Sequence, residues 1–194
     1  MKYFFTISTM LIIHFSLLHS DRKVIDKAVS GNHALVVAKQ AMHLELDSKK
    51  MQEYADSYFE HSGKALDTIM FAEIISNAGT VDTSEWKDEE LRNGVLVQKR
   101  EEQISKSYMI EKLKLSGKKQ MRYYTRYVNR YNETKCADRS IYYFSKPVYS
   151  NSGKFALIQW SNEHSGLTER AGMDLYHLEG NEWTKAGVIT VDKK

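Results

Sequence analysis

The side chains best suited to chemistry sit in two short segments of the chain. In the first, Met121 to Tyr131, arginines recur at every fourth position as Arg122, Arg126 and Arg130, each followed by a tyrosine, Tyr123, Tyr127 and Tyr131. On a helix this spacing makes one stripe of guanidinium groups beside one stripe of phenols. Guanidinium groups in a row suit phosphate, sulfate or carboxylate, and phenols stack on rings. Arg122, Tyr123, Arg126, Tyr127 and Arg130 are therefore the candidate ligand-binding residues, with an anionic envelope polymer, a glycan or a protein as the partner. Lys112, Lys114, Lys118 and Lys119 extend the charge. The same pattern also suits an amphipathic helix whose tyrosines and Val128 cover a sheet, while its arginines face water or pair with the acidic stretch from Asp82 to Glu102.

The second segment, Ser161-Asn162-Glu163-His164-Ser165-Gly166, gathers a carboxylate, an imidazole and hydroxyls, the groups that acid/base or nucleophilic catalysis needs. Glu163 and His164 are the candidate catalytic residues of a small hydrolase with a pocket near the Ser161 to Ala171 loop. Against this, consecutive residues seldom aim at one reacting atom, and no Gly-x-Ser-x-Gly elbow is present. A solvated polar loop explains the segment as well. Glu-His-Ser-Gly also occurs at Glu60 to Gly63, but the flanks differ, so shared turn chemistry accounts for the pair. His33, His43, Glu45, His61, His164 and His177 lack the paired spacings of zinc sites. No metal and no cofactor is expected, and the leading expectation is a non-enzymatic binding or interaction module.

The first twenty residues give the setting. A basic start at Lys2, an apolar run from Tyr3 to about Leu18 and the small Ser20 before Asp21-Arg22-Lys23 form the secretory pattern. The run is interrupted by Thr6, Ser8, Thr9, His14 and Ser16 and falls short of the ~20 strongly apolar residues of a spanning helix. We expect residues 1–20 to be a signal peptide and 21–194 to be one exported domain, periplasmic or secreted, with no permanent membrane span. An uncleaved signal anchor is the alternative. No cysteine adjoins the boundary, so a lipoprotein is not expected, and export makes nucleic acid an unexpected partner.

The chain of 194 residues has a single cysteine, Cys136, and a single proline, Pro147. It therefore holds no internal disulfide and no proline-rich linker, and stability must come from packing. The net charge of +3 points to no partner by itself. Apolar spacing suggests helices over much of 21–77, including Leu35 to Met42, then Met51 to Phe59 and Leu66 to Ile75. Ser62-Gly63 and Asn77-Ala78-Gly79 supply helix ends, and Asp82 with Glu85 supplies a capping-box spacing for a short helix at Trp86 to Leu91. Val95 to Gln98 suits a strand, and Glu101 to Leu115 and Lys119 to Tyr131 suit helices.

After Asn132 the pattern changes to short aromatic and β-branched runs, Ile141 to Tyr149, Lys154 to Ser161, Gly172 to Leu178 and Glu182 to Val191, with turns at Asn151-Ser152-Gly153 and Glu179-Gly180-Asn181. The fold class expected is α+β, an N-terminal helical layer (21–131) packed on a C-terminal antiparallel meander of about four strands (140–191). The run from Tyr143 to Leu157, with Leu175-Tyr176 and Gly180-Asn181-Glu182-Trp183, resembles the tail of a group of uncharacterised exported bacterial proteins. These share a Phe-Ser-x-Pro-x-Phe-Ser strand, a Gly-Lys turn and a Gly-x-Trp strand. The resemblance spans roughly residues 120 to 190 and implies no activity. Such proteins often carry a Cys-Gly-rich loop, whereas Ser161 to Ala171 here has no cysteine.

Overall fold

The computed structural model describes residues 22–81, 83–164 and 167–190. The expected signal peptide lies outside the described residues. The C-terminal region folds as its short aromatic and β-branched runs suggest, into strands β3 (Ile141–Phe144), β4 (Val148–Tyr149), β5 (Phe155–His164), β6 (Leu167–Glu179) and β7 (Glu182–Ile189). The turns before β5 and β7 carry Gly153 and Gly180 at φ 67° and 62°, the left-handed region where glycine alone is unstrained. Strands β5 and β6 take up Ser161–His164 and Leu167–Ala171 of the expected Ser161 to Ala171 loop, with one register shift at Asn162/Glu163. Ladder hydrogen bonds to β3 on one side and between the two arms hold this polar stretch extended.

The α+β class holds, but the sheet is larger than a four-stranded meander and is not purely antiparallel. Strand β2 (Val95–Val97) lies where a strand is expected, whereas β1 (Val36–Ala38) replaces the helix expected over Leu35 to Met42, and the two extend the sheet in the order β2-β1-β3-β5-β6-β7, with β4 beside β5. Strand β1 runs parallel to both β2 and β3. All three residues of each short strand are buried, which is the composition of a strand covered on both faces, and periodicity cannot separate so short an apolar run from a helix.

Helices cover both faces of the sheet. On the first face, α2 (Met51–Ser62) and α3 (Thr68–Ala78) pack on Leu157, Leu175 and Ile189, while α4 (Lys106–Lys112) and α5 (Lys118–Glu133) cover Val36, Val95 and Ile141. On the second face lie Val24, Ile25, Ala28 and Val29 of α1 (22–31) together with Trp86, against Val37, Phe144, Ile158 and Trp183. Beneath α1, the fully buried carboxylate of Asp174 accepts from Trp160 Nε1, Tyr176 Oη and Asn32 Nδ2 and pairs with Lys185 Nζ at 2.8 Å. Four donors offset the cost of removing that charge from water.

The helix expected at Trp86 to Leu91 does not form among the described residues of that segment. Trp86 is a plug instead. Its backbone N–H donates to Lys39 O and its indole to Phe144 O, and Lys146, paired with both oxygens of Glu90, lies 4.0 Å over its ring. Burial of one indole and the pairing of Lys146 fix the segment without an intrahelical ladder.

Candidate functional site

Helix α5 begins after Gly117, which offers no side-chain cap, and ends where Thr134 turns to extended backbone. Val128 and Tyr131 are buried against the sheet, with Met121, Tyr124 and Tyr127 half-buried beside them. Arg122, Arg126 and Arg130 are exposed, and Tyr123 is 65% exposed. The tyrosine stripe therefore divides. A step of four residues overshoots one helical turn by about 40°, so over two steps Tyr131 faces the sheet, Tyr127 sits at the margin and Tyr123 stands among the arginines. Among the described residues, Arg122 and Arg126 form no ion pair within 4 Å.

Beside the C-terminal end of α5 lies a pocket of about 330 Å³, walled by Tyr127, Arg130, Tyr131, Thr134, Asp138, Arg139, Ser140 and His164. It joins the two segments that the sequence singled out, bringing Tyr127 and Arg130 to His164. Its back wall is Arg139, 4% exposed, which donates to the carbonyls of Arg100 (2.8 Å), Glu102 (3.1 Å), Asn132 (3.1 Å) and Thr134 (3.2 Å) and lies 4.8 Å over the Tyr131 ring. The carbonyls of the α5 terminus, Asn132 and Thr134, and those of Arg100 and Glu102 after β2 thus hold this cation in place. Burial raises the pKa of the Tyr127 phenol, helped by Tyr142 and Tyr123 and opposed by Arg130. Burial also raises that of Tyr131, against the lowering effect of Arg139. Both phenols stay protonated at neutral pH and can donate.

Glu163 does not line this pocket. Its carboxylate meets Arg100 Nη2 at 2.8 Å, and burial together with the Glu163 charge raises the pKa of the neighbouring Tyr143 phenol. His61, in the second Glu-His-Ser-Gly copy, has Nδ1 at 2.8 Å from Ser57 O, and Gly63 ends α2 in the left-handed region at φ 68°. Helix-end chemistry explains that copy. No group of three His, Cys, Asp or Glu side chains among the described residues could hold a metal ion.

A second, larger groove of about 1350 Å³ opens on the first face between α2, α3 and the sheet. His43, Glu45 and Asp47 border it, as do Glu53, Gln159 and Ala171. Glu45 N–H donates to Gln159 Oε1 at 3.2 Å, which ties the border to β5. Sequence reasoning misses this groove, although the alternation of Met42, Leu44 and Leu46 with His43, Glu45 and Asp47 is an extended-strand signal. It also misses Arg139, which nothing in the local sequence distinguishes from a surface arginine.

No family model, curated protein or solved structure matches this chain. The functional reading therefore rests on the geometry of α5 and its pocket.

Proposed function

We propose that this is an exported, non-enzymatic binding module whose ligand is an anionic polymer or glycan held on α5. One observation carries the reading: the exposed row Arg122, Arg126 and Arg130 leads into the pocket that also takes Tyr127 and His164. Guanidinium groups four residues apart on one helix repel one another, and Arg122 and Arg126 have no ion-pair partner among the described residues, so an anionic ligand relieves the repulsion. Retention of the protein on heparin and acidic-glycan columns tests the proposal. Replacing Arg122, Arg126 and Arg130 together by Gln should shift elution to much lower salt, and unchanged retention rejects the reading.

The groove bordered by Ala171 supports a second reading, a small hydrolase, because a concavity of that size with His43, Glu45 and Glu53 on its border can enclose a substrate. Turnover of ester, glycoside or peptide substrates that is lost in His43→Ala or Glu53→Gln would favour it over the binding module.

A further inference from the structure

The ligand class can be narrowed from the spacing and the surface of α5, on the basis of the binding role just proposed. Successive arginines four residues apart are displaced by about 6 Å along a helix axis. An extended backbone advances about 3.3–3.6 Å for every three bonds, so a chain bearing one anion every six bonds repeats at about 7 Å. A phosphodiester-linked polyol has that repeat, phosphate to phosphate through O–C–C–C–O. The arginine row can therefore meet three successive phosphates with small adjustments of its long side chains.

The aromatic groups decide between polymers of similar repeat. A single-stranded nucleic acid also has six backbone bonds per phosphate, and its binding sites offer one stacking surface per base. Here Tyr131 is buried and Tyr127 half-buried, which leaves Tyr123 as the one fully presented phenol of the row. A chain with no rings between its charges fits this face better than a nucleotide or a sugar chain. We propose that α5 binds a linear polyol phosphate, with three phosphates on Arg122, Arg126 and Arg130 and the chain terminus in the pocket of Tyr127, Ser140 and His164. The Ser140 hydroxyl donates to Asn162 Oδ1 at 2.7 Å and keeps its lone pairs for a terminal polyol hydroxyl.

The test titrates the full protein with fluorescent oligomers of equal charge number: glycerol phosphate, heparin and oligo(dT), each over a range of salt. The glycerol phosphate oligomer should bind about tenfold tighter than oligo(dT), whose bases find no stacking row. Its log K should fall with log salt at a slope of about −2, the value for three contacts on a flexible strand, and each single Arg→Gln should reduce the slope by about 0.7. Arg→Lys at the same positions should keep the slope and shows that a loss in Gln variants is not misfolding. Equal or tighter binding of heparin or oligo(dT) overturns the polyol phosphate assignment while leaving α5 as an anion-binding face. A slope unaltered by the arginine substitutions overturns the assignment too. Binding of none of the three polymers overturns both the assignment and the binding module itself.

Discussion

Arg100 Nη2 lies 2.8 Å from Glu163 Oε2, with the two side chains 15% and 32% exposed. The contact ties the segment after β2 to the far end of β5, across β1 and β3. Glu163 thereby serves as the counter-ion of a largely buried guanidinium. Glu163→Ala strips that partner and should cost about 1–3 kcal/mol, whereas Glu163→Gln keeps an acceptor and should cost less. Urea denaturation of the two variants checks the order, and equal stability of Glu163→Ala and the parent chain would show that the pair contributes nothing.

Gly187 on β7 packs under the ring of Tyr58, so closely that a Cβ there would stand 2.3 Å from Cε2. The ring cannot swing aside without loss, because its hydroxyl donates to Ala186 O at 3.2 Å and α2 is fixed further along by Ser57 Oγ accepting from Thr190 N–H at 2.9 Å. Gly187→Ala should destabilise the chain by about 1–3 kcal/mol through overpacking. Gly31, which has nothing within 4 Å of an added Cβ, is the control position. Thermal unfolding should show a clear drop for Gly187→Ala and little change for Gly31→Ala.

Asp26 of α1 accepts the N–H groups of Arg92 (2.9 Å) and Asn93 (3.2 Å) and so fastens the helix to the segment before β2. Burial, opposed by those two hydrogen bonds and by Lys112, raises its pKa above the ordinary 3.8. The folded chain consequently holds this proton to a higher pH than the unfolded chain does. Stability contributed by the group is complete below pH 3.8 and is lost as pH rises through the raised value. Asp26→Asn keeps an acceptor and removes the charge, so it should flatten that part of the stability profile. Asp26→Ala loses the acceptor and should cost about 1 kcal/mol at every pH. Urea midpoints measured from acid to neutral pH separate the two, and an undiminished pH dependence in Asp26→Asn would assign it to another group.

Much of this architecture is written locally. Short aromatic and β-branched runs mark β5 and β7, Gly153 and Gly180 mark the turns between strands, and Asp67 marks the start of α3 by accepting from Ile69 and Met70 N–H. What local pattern does not carry is pairing at a distance. Val36 to Ala38 reads as helix by its spacing and becomes a strand because β2 and β3 flank it, and the Trp86 segment is shaped by Lys39, Phe144 and Lys146. The candidate site divides in the same way. The arginine row is visible as a four-residue period, but its pocket exists only because residues 138–140 and His164 meet the end of α5. The stripe geometry also needs the sheet, since only docking determines that Tyr131 turns inward while Tyr123 stays out.

The start of α5 offers a test of whether this helix is tuned for ligand rather than for stability. Its first two residues, Lys118 and Lys119, are basic, no acidic residue stands in its first turn, and Gly117 provides no side-chain cap. Each feature opposes the helix macrodipole or leaves end N–H groups without a partner. Gly117 has φ −89° and ψ 134°, an ordinary cap conformation, and an added Cβ would come no closer than 4.0 Å to Gln120. Gly117→Asp should therefore stabilise the chain by about 0.5–1 kcal/mol, through a capping acceptor and a favourable charge at the N-terminus. The same negative charge lies at the head of the arginine row and should weaken polyanion binding. Higher unfolding temperature with lower affinity for the glycerol phosphate oligomer is the expected pair of results, and a stabilised variant that binds as tightly as the parent chain would place the ligand away from this end of the helix.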